Sequence, residues 1–188
     1  MFKILFIILA LFYTDSFAKK KTGRISFGGG LHNFMKNGYS ICRAPAYGGC
    51  DPNSSANAAL PVPYKEISTV FSFEYFAKRN IFKIIKPLVG YNYTSKEAHY
   101  GYFGLSADLF FGDCKCFIVT PTLAAGWYID GDEIRLGHKI EFRSGGDIYY
   151  RFKNNVRVGV GFYHISNAGI GESNPGAEQA IFKYQIPF

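Results

Sequence analysis

The chain has 188 residues, enough for one domain, with 18% aromatic residues and a formal net charge of +7. Lys and Arg are scattered through strand-like segments and turns, whereas a nucleic-acid-binding domain gathers them on one face, so no nucleic acid is expected as a partner. An anionic lipid of the cell envelope is the partner that net positive charge favours. Abundant Phe, Tyr and Gly in short alternating segments are typical of a membrane β-barrel.

The N-terminus predicts a secretory signal peptide over residues 1–18. Lys3 supplies a positive start, Ile4 to Tyr13 form an apolar run, and Ser16-Phe17-Ala18 offers a small-x-small cleavage pattern. A membrane anchor is the alternative, but the apolar run is shorter than the roughly 18 residues that a spanning helix needs. We therefore expect an exported single domain over residues 19–188.

Eight candidate strands follow, recognised by their apolar content and, in several of them, by period-two alternation. They lie near residues 24–35, 65–77, 81–94, 99–112, 115–129, 134–152, 155–167 and 177–188. The sixth alternates most clearly. One face carries Ile134, Leu136, Ile140, Phe142, Ile148 and Tyr150, and the other carries Arg135, Lys139, Glu141, Arg143, Asp147 and Arg151. A soluble sandwich would bury the apolar face, whereas a barrel in lipid would turn it outward.

The connections between these strands alternate in length. Short turns are expected at 78–80, 112–114 and 153–154, and longer connections at 36–64, 95–98, 130–133 and 168–176. Short turns at the periplasmic end and longer loops at the other are typical of outer-membrane barrels. We therefore predict an all-β fold, an eight-stranded antiparallel transmembrane β-barrel of the bacterial outer membrane. The loop at 36–64, rich in Gly, Pro, Asn and Ser, should be irregular and exposed.

The C-terminal segment supports this prediction. From Phe182 to Phe188 every second residue is large and apolar, and the chain ends on Phe. This pattern resembles the C-terminal strand of bacterial outer-membrane proteins.

The four cysteines fall into two pairs. Cys42 and Cys50 lie in one loop and have the spacing to form a disulfide, which export would favour. Cys114 and Cys116 are separated by one residue, so a bridge between them is expected to be strained. No His lies near either pair in sequence, so a metal site is not expected.

Three polar residues near the C-terminus share one face of neighbouring strands. His164 and Ser166 continue the parity of the apolar face of the seventh strand, and Glu178 has the parity of the apolar face of the eighth. If 168–176 is the hairpin loop, His164 lies directly opposite Glu178, with Cβ atoms about 5 Å apart. Serine needs an adjacent base to become a nucleophile, so His164 would activate Ser166 and Glu178 would orient the imidazole.

The height of these residues in the membrane also follows from strand geometry. Nine steps separate Asn155 from His164, which at about 3.3 Å each and a tilt near 40° gives roughly 23 Å of height. The apolar band of such barrels is about 25 Å tall. His164 is therefore expected near the outer edge of the hydrocarbon, where acyl chains of outer-leaflet lipids join their head groups.

At this point the sequence resembles a known family. Tyr163-His164-Ile165-Ser166-Asn167-Ala168-Gly169-Ile170, followed by Asn174-Pro175-Gly176-Ala177-Glu178, is similar to the signature of the lipid A 3-O-deacylases of the PagL type. The stretch Ile140-Glu141-Phe142-Arg143-Ser144-Gly145 also looks like that family, and the similarity covers about residues 65–188.

The resemblance implies a barrel whose active site faces the lipid and cuts the ester at the 3-position of lipid A, releasing a 3-hydroxy fatty acid. It implies Ser166 as nucleophile, His164 as base and Glu178 as orienting acid. It assigns Asn167 and Gly169 to the oxyanion hole and makes Asn174 important for activity. The implied partner is lipid A, or lipopolysaccharide, in the outer leaflet. No metal or cofactor is implied, and whether the chain forms a homodimer stays open.

Two other functions compete with this interpretation. A small non-enzymatic barrel, acting as an adhesin or an envelope scaffold, would depend on the loop at 36–64. Alternatively, the same residues would serve another acyl-ester hydrolase or an acyltransferase that acts on phospholipid.

Overall fold

The computed structural model describes residues 22–35, 67–81, 84–171 and 174–188, and these form a single antiparallel sheet. Its strands are β1 (Arg24–His32), β2 (Ser68–Phe76), β3 (Ile85–Thr94), β4 (His99–Ala107), β5 (Leu109–Phe111), β6 (Phe117–Ile129), β7 (Ile140–Arg151), β8 (Arg157–Ser166) and β9 (Ala177–Pro187). In this part of the chain no helix is long and apolar enough to cross a membrane. The predicted signal peptide, the loop at 36–64 and Cys42 and Cys50 lie outside the described residues.

The sheet closes on itself. Each strand from β4 back to β1 pairs with the next, β1 pairs with β9, and the order continues through β8 and β7 to β6, which pairs with β4. β4 and β5 are separated by Asp108 alone and both pair with β6, so they form one interrupted wall strand. The predicted eight-stranded antiparallel barrel is therefore confirmed.

The two faces of the wall are opposite to those of a soluble sandwich. Along β2, Phe71, Phe73 and Tyr75 point outward and are 58%, 43% and 39% exposed, whereas Ser72 and Glu74 are buried in the lumen. β7 follows the same rule in the described residues, with Ile148 outward and Asp147 inward. An apolar exterior around a polar, filled interior is the arrangement of a small barrel in lipid.

A charged network fills the middle of the lumen. Glu74 accepts hydrogen bonds from Lys183 Nζ at 2.6 Å, from Arg143 Nη1 at 3.2 Å and from the Tyr102 hydroxyl at 2.8 Å. Lys183 also lies 3.0 Å from Asp147. Two cations thus meet two carboxylates, and the balance matters because an uncompensated charge in a buried site is strongly destabilising.

Glu74→Gln should lower the free energy of unfolding by about 3 kcal/mol, because it leaves Arg143 and Lys183 with one carboxylate between them. Urea unfolding in lipid vesicles measures this. Phe71→Leu, on the outward face of the same strand, is the control and should change the value little. Equal stability of the two variants would show that the network does not hold the lumen together.

One predicted strand begins later than expected. The prediction of a strand over 134–152 is wrong for its first part, because β7 begins only at Ile140. Ile134 and Leu136, expected on the outward face, are instead 4% and 0% exposed and pack with Tyr128 and Ile165 at the extracellular end of the lumen. Gly137 has a φ of 89°, which ends the extended backbone ahead of β7. Other strand ends differ from prediction by a few residues.

The second cysteine pair is joined. The sequence analysis expected strain in any bridge between Cys114 and Cys116 without predicting the bridge itself, and the structure joins the two in a disulfide. Lys115 between them adopts a left-handed conformation with φ 50°, and its N–H donates to the carbonyl of Gly112 at 2.9 Å. This turn brings the two Cα atoms to 5.1 Å, within the usual range for a disulfide.

Candidate active site

The pairing of β8 with β9 places His164 directly opposite Glu178. The register expected from the hairpin loop is therefore confirmed. His164 Nδ1 lies 3.5 Å from Glu178 Oε1, with the histidine side chain 48% exposed and that of the glutamate 12% exposed. The pair lies on the outside of the barrel, so a lipid in the surrounding membrane has access to it.

Ser166 is the last residue of β8 and is half-buried. It lies two positions after His164, so its side chain leaves the same face of the strand, with Cα atoms about 7 Å apart. Its neighbour on β7 is Phe142. The hydroxyl thus belongs to the outer face near the extracellular end of the wall, as the parity of the sequence predicts.

Gly176 lies against the imidazole of His164, and the sequence analysis did not single it out. A Cβ built on Gly176 would stand 2.5 Å from His164 Cε1 and 3.1 Å from Nε2, and the residue has a φ of 65°. The ring is therefore held between Glu178 at Nδ1 and the bare backbone of Gly176 along its other edge. The available signal was the glycine itself, two residues before the glutamate.

Asn167, Gly169 and Asn174 are brought together just after Ser166. The Asn167 side chain is fully buried; its Nδ2 donates to the carbonyl of Leu136 at 2.7 Å and its Oδ1 accepts from the Gly169 N–H at 2.9 Å. The backbone N–H of Asn167 donates to Asn174 Oδ1 at 3.0 Å. These bonds fix the turn after the serine. An oxyanion role for Asn167 or Gly169 stays a prediction.

The segment before β7 is part of the same structure. The Leu136 carbonyl accepts the hydrogen bond from the Asn167 side-chain amide. Gly171 packs against Gly137, so that a Cβ built on Gly171 would lie 2.5 Å from the Gly137 carbonyl oxygen. The irregular segment 134–139 ahead of β7 therefore braces the loop that follows Ser166. The described residues contain no group of three or more His, Cys, Asp or Glu side chains that could hold a metal ion.

An apolar groove of about 520 Å³ opens on the outer face beside the candidate site. It is lined by Gly101, Tyr102, Phe103, Ala125, Gly126, Trp127 and Ile140. Ser166 pairs with Phe142, which pairs in turn with Ala125, so the groove lies two strands away at the same height on the wall. At about 4.8 Å per strand, that is roughly 10 Å from the serine.

The chain is similar in sequence and in fold to known outer-membrane proteins. The sequence model of the family described as "Lipid A 3-O-deacylase (PagL)" matches residues 88–187, a range that holds all six predicted site residues. The chain belongs to the lipid A 3-O-deacylase family. It is a β-barrel of the bacterial outer membrane, as the sequence analysis expected.

Solved structures with similar folds agree on the architecture. The crystal structure of the outer membrane enzyme PagL superposes with a TM-score of 0.56 at 17% identity, covering 88% of this chain and 99% of the other. A de novo designed transmembrane β-barrel superposes with a TM-score of 0.53 at 9% identity, covering 92% of this chain and all of the other. At such identities the likeness concerns the fold alone. No curated protein sequence gives a significant match to this chain.

Asn167→Ala should lower the free energy of unfolding by about 1–3 kcal/mol, because it leaves the buried Leu136 carbonyl and the Gly169 N–H without a partner. Hydrogen exchange at the Gly169 amide should speed up in parallel. Asn154→Ala, which removes one exposed turn hydrogen bond, is the control and should change stability little. Unchanged exchange at Gly169 would contradict the bracing role of Asn167.

Proposed function

We propose that the protein hydrolyses the ester-linked 3-hydroxyacyl chain at the 3-position of lipid A with Ser166, His164 and Glu178 as a catalytic triad. The observation that carries the proposal is the contact between His164 and Glu178 on the outward face, next to Ser166, in a member of this family. An enzyme that acts on a membrane lipid needs its catalytic groups outside the wall, where the acyl chains are.

The proposed steps follow the chemistry of serine hydrolases. His164 Nε2 takes the proton from Ser166 Oγ as that oxygen attacks the ester carbonyl carbon, and Glu178 stabilises the imidazolium through Nδ1–H. Collapse of the tetrahedral intermediate breaks the bond to the sugar oxygen, which receives the proton from His164. Water activated by the same base then attacks the acyl-serine, releasing the 3-hydroxy fatty acid and restoring the serine.

The residues after Ser166 would shape the oxyanion site. Asn167 and Gly169 are the proposed donors and Asn174 the proposed support, because donors near the nucleophile stabilise the charge that develops on the carbonyl oxygen. Their present hydrogen bonds favour a supporting function, in which they fix the backbone next to Ser166. Direct donation to the oxyanion would require the Gly169 N–H or the Asn167 amide to exchange its present acceptor for the substrate oxygen.

The outer groove suits an acyl substrate. Its walls are apolar, it lies on the same outward face as Ser166, and Gly101 and Ala125 leave room between Phe103 and Trp127. An acyl chain lying there would bring its ester toward the serine without leaving the hydrocarbon layer. The proposed substrate is therefore a lipid of the outer leaflet, attacked at the level where its chains join the sugar.

Export completes the proposal. We propose that residues 1–18 are a signal peptide, so that the mature chain begins at Lys19. N-terminal sequencing of the protein purified from outer membranes tests this directly.

Ser166→Ala and His164→Ala should each lower deacylation by at least about a thousandfold, since the triad acts as a unit. Lipid A from cells that express each variant should retain the 3-hydroxyacyl group that the wild type removes, and mass spectrometry measures this. Ser95→Ala, an exposed serine in another extracellular loop, is the matched control and should keep full activity. Unchanged lipid A in cells that make well-folded wild-type protein would refute the proposed activity.

Gly176→Ala should reduce activity at least about tenfold, because its Cβ would clash with Cε1 and Nε2 of His164 and force the imidazole out of its present position beside Glu178. A left-handed alanine alone costs about 1–2 kcal/mol. Gly112→Ala is the control, because Gly112 has a similar φ of 73° and therefore carries the same backbone strain. A Cβ on Gly112 would meet nothing closer than Cys114 Sγ at 3.8 Å, so this variant adds no steric clash. Equal activity of the two folded variants would show that Gly176 does not position the histidine.

A further inference from the structure

The described turns at the periplasmic end carry an excess of exposed positive charge. Lys78 and Arg79 lie between β2 and β3, Lys115 between β5 and β6, and Lys153 between β7 and β8, and all four are exposed. Asp113 is the one acidic residue among the described residues of these turns. We call the four basic residues the cationic rim.

The lumen next to this rim adds to the positive potential. Asp108 Oδ2 forms ion pairs with Arg24 Nη1 at 2.9 Å and with Arg157 Nη2 at 3.0 Å. No second carboxylate contacts these two arginines in the described part of the lumen. Lys86 Nζ, in the same region, donates to the backbone carbonyls of Thr22 and Ala77. Unlike the balanced network around Glu74, this end therefore keeps a net positive charge.

The opposite end of the barrel has the reverse balance. Among the described residues there, the acidic ones are Glu97, Asp130, Asp132, Glu133, Glu141 and Glu178, and the basic ones are Lys96, Arg135 and Lys139. Positive charge is thus concentrated at one end of the molecule. Such a separation produces a directed field, which attracts anions to the periplasmic end.

Aromatic side chains place the cationic rim at the membrane surface. On the outward face, Phe117 contacts Tyr150 with ring centroids 5.6 Å apart, Tyr150 contacts Phe152 at 5.2 Å, and Tyr75 stacks on Phe188 at 5.5 Å. Aromatic belts of this kind sit at the level of lipid head groups. Lys153 follows Phe152 directly and Lys115 lies two residues before Phe117, so both lie at the periplasmic border of this belt, where phosphate groups are expected.

The disulfide contributes to the same surface. Cys114 and Cys116 bracket Lys115 and close its turn, so the ammonium group is carried by a short, cross-linked segment. A cation presented from a constrained turn loses less conformational freedom on binding than one on a mobile loop. The Cys114–Cys116 pair has no part in the proposed catalytic site, about a barrel height away.

We propose that the cationic rim binds the phosphate head groups of anionic phospholipids in the periplasmic leaflet and so fixes the depth and orientation of the barrel. The occupant is a lipid because the rim borders an outward aromatic belt that is already in the membrane. Each basic residue close to an anionic lipid surface raises the affinity of the protein for that surface roughly fivefold. This inference does not depend on the proposed enzymatic activity.

The test compares lipid selectivity in phosphatidylcholine bilayers. Spin-labelled phosphatidylglycerol and spin-labelled phosphatidylcholine report the relative association constant of each lipid with the reconstituted barrel. The wild type should prefer the anionic lipid, and the preference should fall as salt is raised, because salt screens exposed charges. Inorganic phosphate is added as a competitor at millimolar concentration. The lipid preference should persist if the rim binds head groups at the membrane surface, and its loss would show that the rim binds the free anion instead.

The decisive variant is the triple change Lys78→Gln, Lys115→Gln and Lys153→Gln, and heat-modifiable mobility checks its folding. The matched control removes three basic residues from the other end, Lys96→Gln, Arg135→Gln and Lys139→Gln. We expect the first to reduce the preference for phosphatidylglycerol about tenfold or more and the second to leave it. Lys115→Gln alone gives a smaller loss and serves if the triple variant fails to fold. A folded rim variant, triple or single, with the same selectivity as the wild type would overturn the proposal.

Discussion

Inside a bilayer no water is available to the backbone, so every N–H and C=O group in the apolar layer must find its partner within the protein. The pairing of β4 with β6 meets this requirement by closing the sheet, and the remaining features follow from closure. A closed sheet of alternating residues has one face outside and one inside. The outside must be apolar to meet lipid, which leaves the polar and charged residues to fill a narrow lumen.

The filled lumen makes the wall a rigid support. Glu74, Lys183, Arg143 and Asp147 form an ionic network at mid-height, and Arg143 lies 3.2 Å from the centroid of the Tyr163 ring. Tyr163 immediately precedes His164 and points to the opposite face. The inward side chains of β8 are therefore anchored in the network, while the next residue outward carries the candidate base. Order in the lumen thus sets the position of groups outside it.

The extracellular end gathers chemistry that the wall alone would not create. β8 and β9 bring His164 and Glu178 together, the turn after Ser166 is fixed by Asn167, and the segment around Leu136 braces that turn from above. The periplasmic end has a different character, with exposed basic residues beside an aromatic belt. The two ends of the same barrel thus present the proposed lipid-facing catalytic site and the proposed surface for anionic head groups.

The number and alternation of the strands were enough to predict a barrel, and the sequence alone determined the outward parity of Ser166, His164 and Glu178 and the register of β8 against β9. Parity and register are local properties, because strand residues alternate with period two and a short hairpin loop fixes which residues face each other. Only the tertiary structure decided that Ile134 and Leu136 close the lumen instead of facing lipid. Their parity matches the outward face of β7, but Gly137, with its positive φ, interrupts the extended backbone between them and that strand. It also decided that the Asn167 amide is held by Leu136, and that Gly176 lies on the His164 ring. Such contacts join segments whose approach depends on how the whole sheet closes, and no local pattern encodes that distance.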